Sequence, residues 1–208
     1  MHDLTPAELR VLGSLLEKQR TTPDAYPLSL NSLRLACNQS TNRDPVVEYD
    51  EATIREALRL LGRRRWTRLA SGHSSRAAKY RHLLDEALSV GREEQALLSV
   101  LMLRGPQTPG ELLARTERLY HFDGPAEMHQ VLERLIEREF VARLERRPGQ
   151  REERYAHLLG EDAEDVSAGA ATGVVEGPPV GEDRLARLER ELAELRAEVA
   201  ALRESHGA

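Results

Sequence analysis

The side chains that could do chemistry here are few. Cys37 is the only cysteine, and it sits in the apolar helical context "LRLACN". A thiol nucleophile needs a base held beside it by a third group. An apolar helix face packs the thiol away instead, so a hydrolase built on Cys37 is the weakest functional reading. One cysteine also excludes an intrachain disulfide and a cysteine-based zinc site. His82 and His157 occupy matching positions after a tyrosine in two similar stretches, which points to strand packing and not to a unique active site. His73, His121 and His129 lack the spacing of metal ligands. There is no glycine-rich phosphate loop, and "FDGPAE" (122–127) reads as a turn and a helix start. The expectation is a protein without enzymatic chemistry, metal or cofactor.

A different chemistry is offered by "LACNQSTNRDP", residues 35–45. Asn38, Gln39, Ser40, Thr41 and Asn42 carry amides and hydroxyls that can bond phosphates and base edges, and Arg43 can grip a phosphate. The same residues also make a good turn. Asn and Asp bond nearby backbone, and Asp44 before Pro45 is held extended. Further along lie Arg55 and Arg59, then Arg63, Arg64 and Arg65 in "GRRRW", then Arg76 and Lys79. The arginine run also suits a solvated helix end, where cations complement the dipole.

These residues must be positioned by helices and hairpins, and the sequence states that plan twice. "AELRVLGSLLEKQRTTP" (7–23) parallels "EEQALLSVLMLRGPQTP" (93–109), and residues 58–84 parallel 132–159. Trp66 matches Phe140, and Tyr80 and His82 match Tyr155 and His157. Each copy reads helix, helix, helix, strand, turn, strand. In the first copy Thr5-Pro6-Ala7-Glu8 is a capping box with proline at the first helical position. Its helix runs to about Arg20, and a short second helix covers roughly residues 29–37. Asp50 caps a third helix with Ile54, Leu58 and Leu61 inward. "WTRLAS" and "AAKYRHLL" then form a hairpin. In the second copy the third helix starts near Pro125, with Met128, Val131, Leu132 and Leu135 inward, and "RPGQ" makes the turn.

Three helices followed by a two-stranded hairpin is the winged-helix arrangement. There the third helix enters the major groove and the wing touches the backbone. In the first copy the start of that helix is acidic (Asp50, Glu51), and its basic groups gather at the far end. The second wing carries Arg146, Arg147, Arg151 and Arg154, diluted by Glu145, Glu152 and Glu153.

After the second copy, residues 161–182 are rich in Gly, Ala, Pro and acid, which predicts a flexible linker. Residues 183–204 then place Leu185, Leu192 and Val199 at heptad position a and Leu188, Leu195 and Leu202 at d. The flanking charges match in a parallel pair: Arg184 with Glu189, Glu191 with Arg196, and Glu198 with Arg203 of a second copy. A parallel homodimer is expected, with a helix folding back on its own chain as the alternative.

Charge follows the same division. The whole chain of 208 residues carries −5, yet residues 1–85 have 14 Lys and Arg against 10 Asp and Glu. Residues 86–160 have 11 against 13, and the remainder 5 against 12. Positive charge therefore sits in the first part. Aromatic content of 4 % does not suggest a stacking platform for single strands. No stretch approaches the roughly 18 apolar residues of a membrane span, and the start lacks the pattern of a secretory signal. A soluble, cytoplasmic protein without a membrane partner is expected.

"LTPAELRVLGSLLEKQRTTPDAYPLSLNSLRLACNQSTNRDPV", "SGHSSRAAKYRH", "RGPQTPGELLARTERLYHF" and "RPGQREERYAHL" together resemble the YceH-like family of uncharacterised bacterial proteins. The resemblance covers nearly the whole folded region and implies two tandem winged-helix domains in a bacterial cytoplasm. It supplies no reaction and no ligand.

The combined expectation is an α+β fold, mostly α. Residues 1–85 and 86–160 form two winged helices, followed by the linker and the coiled-coil helix. The leading function is a dimeric, cytoplasmic, non-enzymatic DNA-binding or regulator-like protein, with double-stranded DNA as its partner. Arg43, Arg63, Arg64, Arg65, Arg76 and Lys79 would contact phosphates, Asn38, Gln39, Asn42 and Arg55 would give modest sequence readout, and Arg59 is a further solvent-facing candidate on the third helix. The alternative is a scaffold that binds another protein.

Overall fold

A computed structural model describes residues 3–70, 78–144, 146 and 152–160. The first half contains α1 (Pro6–Thr21), a 3-10 turn (Pro23–Ala25), β1 (Leu28–Ser29), α2 (Leu30–Cys37), α3 (Glu51–Arg63), β2 (Thr67–Leu69) and β3 (Lys79–His82). A short helix, α4 (Leu84–Leu88), leads into the second half. That half contains α5 (Arg92–Arg104), α6 (Pro109–Thr116), α7 (Pro125–Glu137), β4 (Val141–Leu144) and β5 (Arg154–His157). The class is α+β and mostly helical, with two small antiparallel sheets among the described residues.

Local chemistry starts α1 and α3 where the sequence predicts, and the same devices start α2 and α6. Thr5 accepts from the Glu8 backbone N–H while the Glu8 carboxylate accepts from the Thr5 N–H, and Thr108 and Glu111 repeat this box at α6. Ser29 caps α2 and Asp50 caps α3. The ends of α3 and α7 also match. The Trp66 N–H donates to the Leu61 carbonyl and the Arg65 N–H to Gly62, as Phe140 does to Leu135 and Glu139 to Ile136. This is the Schellman pattern, and it places Arg65 (φ 61°) and Glu139 (φ 56°) in the left-handed region. Both helices therefore end three residues before an aromatic side chain that turns into the core, with the left-handed residue directly before it.

The hairpins repeat as well. In the first sheet, of order β1-β3-β2, Thr67 faces His82 and Leu69 faces Tyr80, while Leu28 of β1 pairs Tyr80 from the other side. In the second, Val141 faces His157 and Arg143 faces Tyr155, and Gln107 forms an isolated bridge to Tyr155. Tyr80 and Tyr155 thus stand at equivalent crossings, each with a third segment beside it.

One continuous buried core runs through both halves. Its axis is the packing of α1 against α5. Val11 to Leu16 are all buried, and so are Glu94 to Leu103, so each helix is covered on every side in its middle. Gly13 permits the close approach: a Cβ there would lie 2.9 Å from Leu103 Cγ. Beside it the Ser99 hydroxyl donates to the Gly13 carbonyl at 3.2 Å. The expected boundary near residue 85 falls within α4, whose Leu84 and Leu88 belong to this shared core. Leu4 pairs in parallel with Gly160, and its N–H donates to Leu159 at 2.9 Å, so the beginning and end of the described region meet. No described helix is long and apolar enough to cross a membrane. The linker at 161–182, the heptad residues of 183–204 and Arg76 of the first hairpin lie outside the described residues.

Candidate nucleic-acid interface

The polar stretch after α2 resolves into a turn held by its own side chains. Arg43 is the centre of it, with no exposed side-chain surface. Its Nε and Nη2 donate to the Ala36 carbonyl at 3.1 and 2.8 Å, closing the end of α2. Nη1 and Nη2 reach the two oxygens of Glu17 at 3.1 and 2.6 Å, and Nη2 also donates to Gln39 Oε1 at 3.0 Å. The guanidinium is a buried tie between α1, α2 and the turn, and in this arrangement its donors face protein oxygens and not a phosphate. Burial would push the Glu17 carboxyl up, but hydrogen bonds and charge from Arg43, with Lys18, hold it below the usual range.

The neighbouring amides are also engaged. Asn38 donates to the Tyr49 carbonyl at 2.8 Å and accepts from the Tyr49 N–H at 3.0 Å, which fixes the segment leading into α3. Gln39 Oε1 accepts from Arg43 and, at 3.4 Å, from Lys18. Asn42 is exposed at φ 59°, and its side-chain oxygen accepts from Arg104. Cys37 is buried, and burial pushes its thiol up to about 11, so it stays protonated at neutral pH and is a poor nucleophile.

On α3, Arg55 and Arg59 are exposed, but each is tied along the helix, Arg55 to Glu51 at 3.4 Å and Arg59 to Glu56. At the helix end fewer carboxylates stand against the positive charge among the described residues. Arg63, Arg65 and Arg68 are exposed, and none forms a side-chain ion pair among the described residues. Arg64 lies 3.8 Å from Glu8 and donates to the Asp3 carbonyl at 3.3 Å. Lys79 is half-buried on β3. Arg64, Arg65 and Arg68 border a shallow depression of about 490 Å³ with Trp66 at its wall. Arg68 was not among the sequence candidates. Strand alternation predicts its outward direction once the hairpin register is known, but "WTRLAS" alone does not fix that register.

A second collection of positive charge joins residues far apart in sequence. Asn42, Arg104, Arg115 and Arg118 line a cavity of about 210 Å³. Burial, then the nearby charges of Arg115 and Arg43, lower the pKa of Arg104. At α7 and its C-terminal cap, in contrast, the arginines are paired: Arg134 with Glu93 and Arg138 with Glu94, both at 3.4 Å. Arg143 on β4 is held by Glu133.

Comparison with known proteins gives one consistent family. The family described as "Protein of unknown function, DUF480" matches residues 4–150. A UPF0502 protein of Solibacter usitatus is 48% identical over 193 residues, covering 93% of each chain. One from Pectobacterium carotovorum is 44% identical over 208 residues, covering 97% of this chain and 98% of its own. One from Azotobacter vinelandii is 51% identical over 167 residues, covering 79% of this chain and 74% of its own. With matches of this length and identity, the chain belongs to the DUF480, or UPF0502, family of bacterial proteins.

Proposed function

We propose that this chain is a non-enzymatic protein that binds duplex DNA through two tandem winged helices. The observation that carries the reading is the group Arg63, Arg65 and Arg68, exposed and without ion pairs among the described residues, where α3 hands over to the hairpin. In a winged helix the third helix and the wing both approach the duplex, so cations on the segment joining them lie within reach of the phosphate backbone. Arg64 and Lys79 add charge beside it. Arg55 and Arg59 can reach base edges only by exchanging Glu51 and Glu56 for a base. That exchange makes sequence preference modest and leaves most of the affinity electrostatic.

Titration of the full chain with duplex DNA at several salt concentrations tests this. Contacts to about three to five phosphates give a log–log slope of about −3 to −4.5. Replacing Arg63, Arg65 and Arg68 together with Gln is expected to remove about 2 to 3 from that slope, with an unchanged thermal melt. Absence of binding at low salt rejects the reading.

A protein-binding scaffold is the second reading, and the paired charges of α7 favour it. With Arg134 and Arg138 neutralised by Glu93 and Glu94, that helix offers little net charge to a polyanion. The proposal also includes self-association through Leu185, Leu188, Leu192, Leu195, Val199 and Leu202. Light scattering should give twice the chain mass for the full protein and the single mass after removal of residues 183–208. A single mass for both removes the dimer.

A further inference from the structure

We infer that the cavity between α1, α5 and the 44–49 segment is a binding site for a small amphipathic carboxylate. The cavity measures about 260 Å³, and its walls are largely apolar, with Leu9, Val47, Leu101 and Met102 among them. Arg10 stands in this wall. It is only 4 % exposed, and its partners are two backbone carbonyls, Cys37 at 3.3 Å and Pro45 at 2.6 Å. No carboxylate pairs with it among the described residues. A buried guanidinium ordinarily has a counter-charge, because neutral carbonyls compensate desolvation only in part. Two of its five N–H groups are used, so donors are left for a ligand. Burial and the nearby charge of Arg43 work against the Arg10 cation and outweigh the smaller support from Tyr49, Cys37 and Asp44, a balance that an incoming anion would improve.

Tyr49 also lines the cavity, on a backbone held at both polar atoms by Asn38. Its hydroxyl supplies a second donor, and the apolar walls strengthen any charge-assisted hydrogen bond made against them. Asp44 borders the same cavity and is exposed. Its charge leaves room for a monoanion and disfavours a phosphate dianion. The volume lies below the roughly 300–1,000 Å³ of drug-sized sites. The body of the ligand is therefore one ring or one short alkyl chain.

This site is independent of the basic face at the end of α3, so the two proposals stand or fall separately. The test is calorimetric titration of the full chain with benzoate and hexanoate, and with their neutral amides, benzamide and hexanamide. Saturable binding of an acid, at least about tenfold tighter than its amide, supports the site. Tyr49→Phe is expected to weaken acid binding about tenfold, Asp44→Asn to tighten it, and Val47→Trp to abolish it by filling the cavity. Arg10→Gln should abolish binding too. If that variant fails to fold, the Tyr49 and Val47 variants decide. Absence of saturable heat with either acid, equal binding of acid and amide, or wild-type affinity in Tyr49→Phe and Val47→Trp overturns the inference.

Discussion

Arg43→Met is expected to lower the free energy of unfolding by about 3–5 kcal/mol, the cost of removing one partner from a buried ion pair. Two losses combine. The Ala36 carbonyl at the end of α2 loses both its Arg43 donors, and Glu17 keeps a carboxylate that is only 13 % exposed, with Lys18 at 3.4 Å as its remaining cation. Glu17→Gln should cost less, since the amide carries no charge to strand and Arg43 keeps its carbonyl partners. The double variant should cost less than the two single changes together, because the pair acts as a unit. Urea denaturation of the four proteins measures this. An Arg43→Met loss under about 1 kcal/mol would place the arginine outside the folding core and reopen a contact role.

The same pair gives a pH signature. The Glu17 carboxyl is held below its ordinary value of 4.5 in the fold. Its contribution is therefore fully present above that value and is lost as pH falls through the lower folded pKa. Arg43→Met should remove this acid-side dependence.

His82 gives the second large effect, at higher pH. Its ring is buried between sheet and helices, with the Leu84 N–H donating to Nδ1 at 3.2 Å. Nδ1 is therefore the unprotonated nitrogen, and Nε2 carries the hydrogen toward Gln19 Oε1 at 2.7 Å. Burial pushes the pKa down to about 4; Arg81 and Arg20 lower it too, while Asp85 opposes them. A depressed histidine is neutral in the fold and must gain its proton on unfolding. Stability is complete above about pH 6.5 and declines as pH falls toward 4. The loss reaches about 3 kcal/mol at the lower limit. Denaturation midpoints at pH 7, 5.5 and 4.5 should show this decline in the native protein and a flatter profile in His82→Gln. An equal decline in both would assign it to other groups. His157 repeats the local arrangement, accepting from the Leu159 N–H at 3.4 Å. Both histidines thus tie the end of a hairpin to the backbone that follows.

The DNA reading changed in detail once side chains had partners. "LACNQSTNRDP" has the residue types of a contact loop, and nothing within those eleven residues reveals Glu17, 26 positions earlier, or Tyr49. Those two partners turn Arg43 and Asn38 inward. Arg68 moved the other way, from an unremarked strand residue to the exposed group beside Arg65, because register decides which face a strand residue takes.

What the sequence by itself determined was set within a few residues: the capping box at Thr5 and the cap at Asp50, with the same local chemistry acting at Thr108, at Ser29 and at the ends of α3 and α7. The duplication also showed directly, since each copy must bury the same apolar positions and turn back at the same aromatic residue. Only the tertiary structure decided that the halves share one core. An apolar stripe on α1 or α5 says which side must be covered, but not that the opposite side will meet the other helix at Gly13 and Leu103. Burial of a charged group is decided the same way, by partners that arrive from distant segments. Spacing along the chain cannot encode them, because hydrogen bonds and ion pairs depend on distance in space.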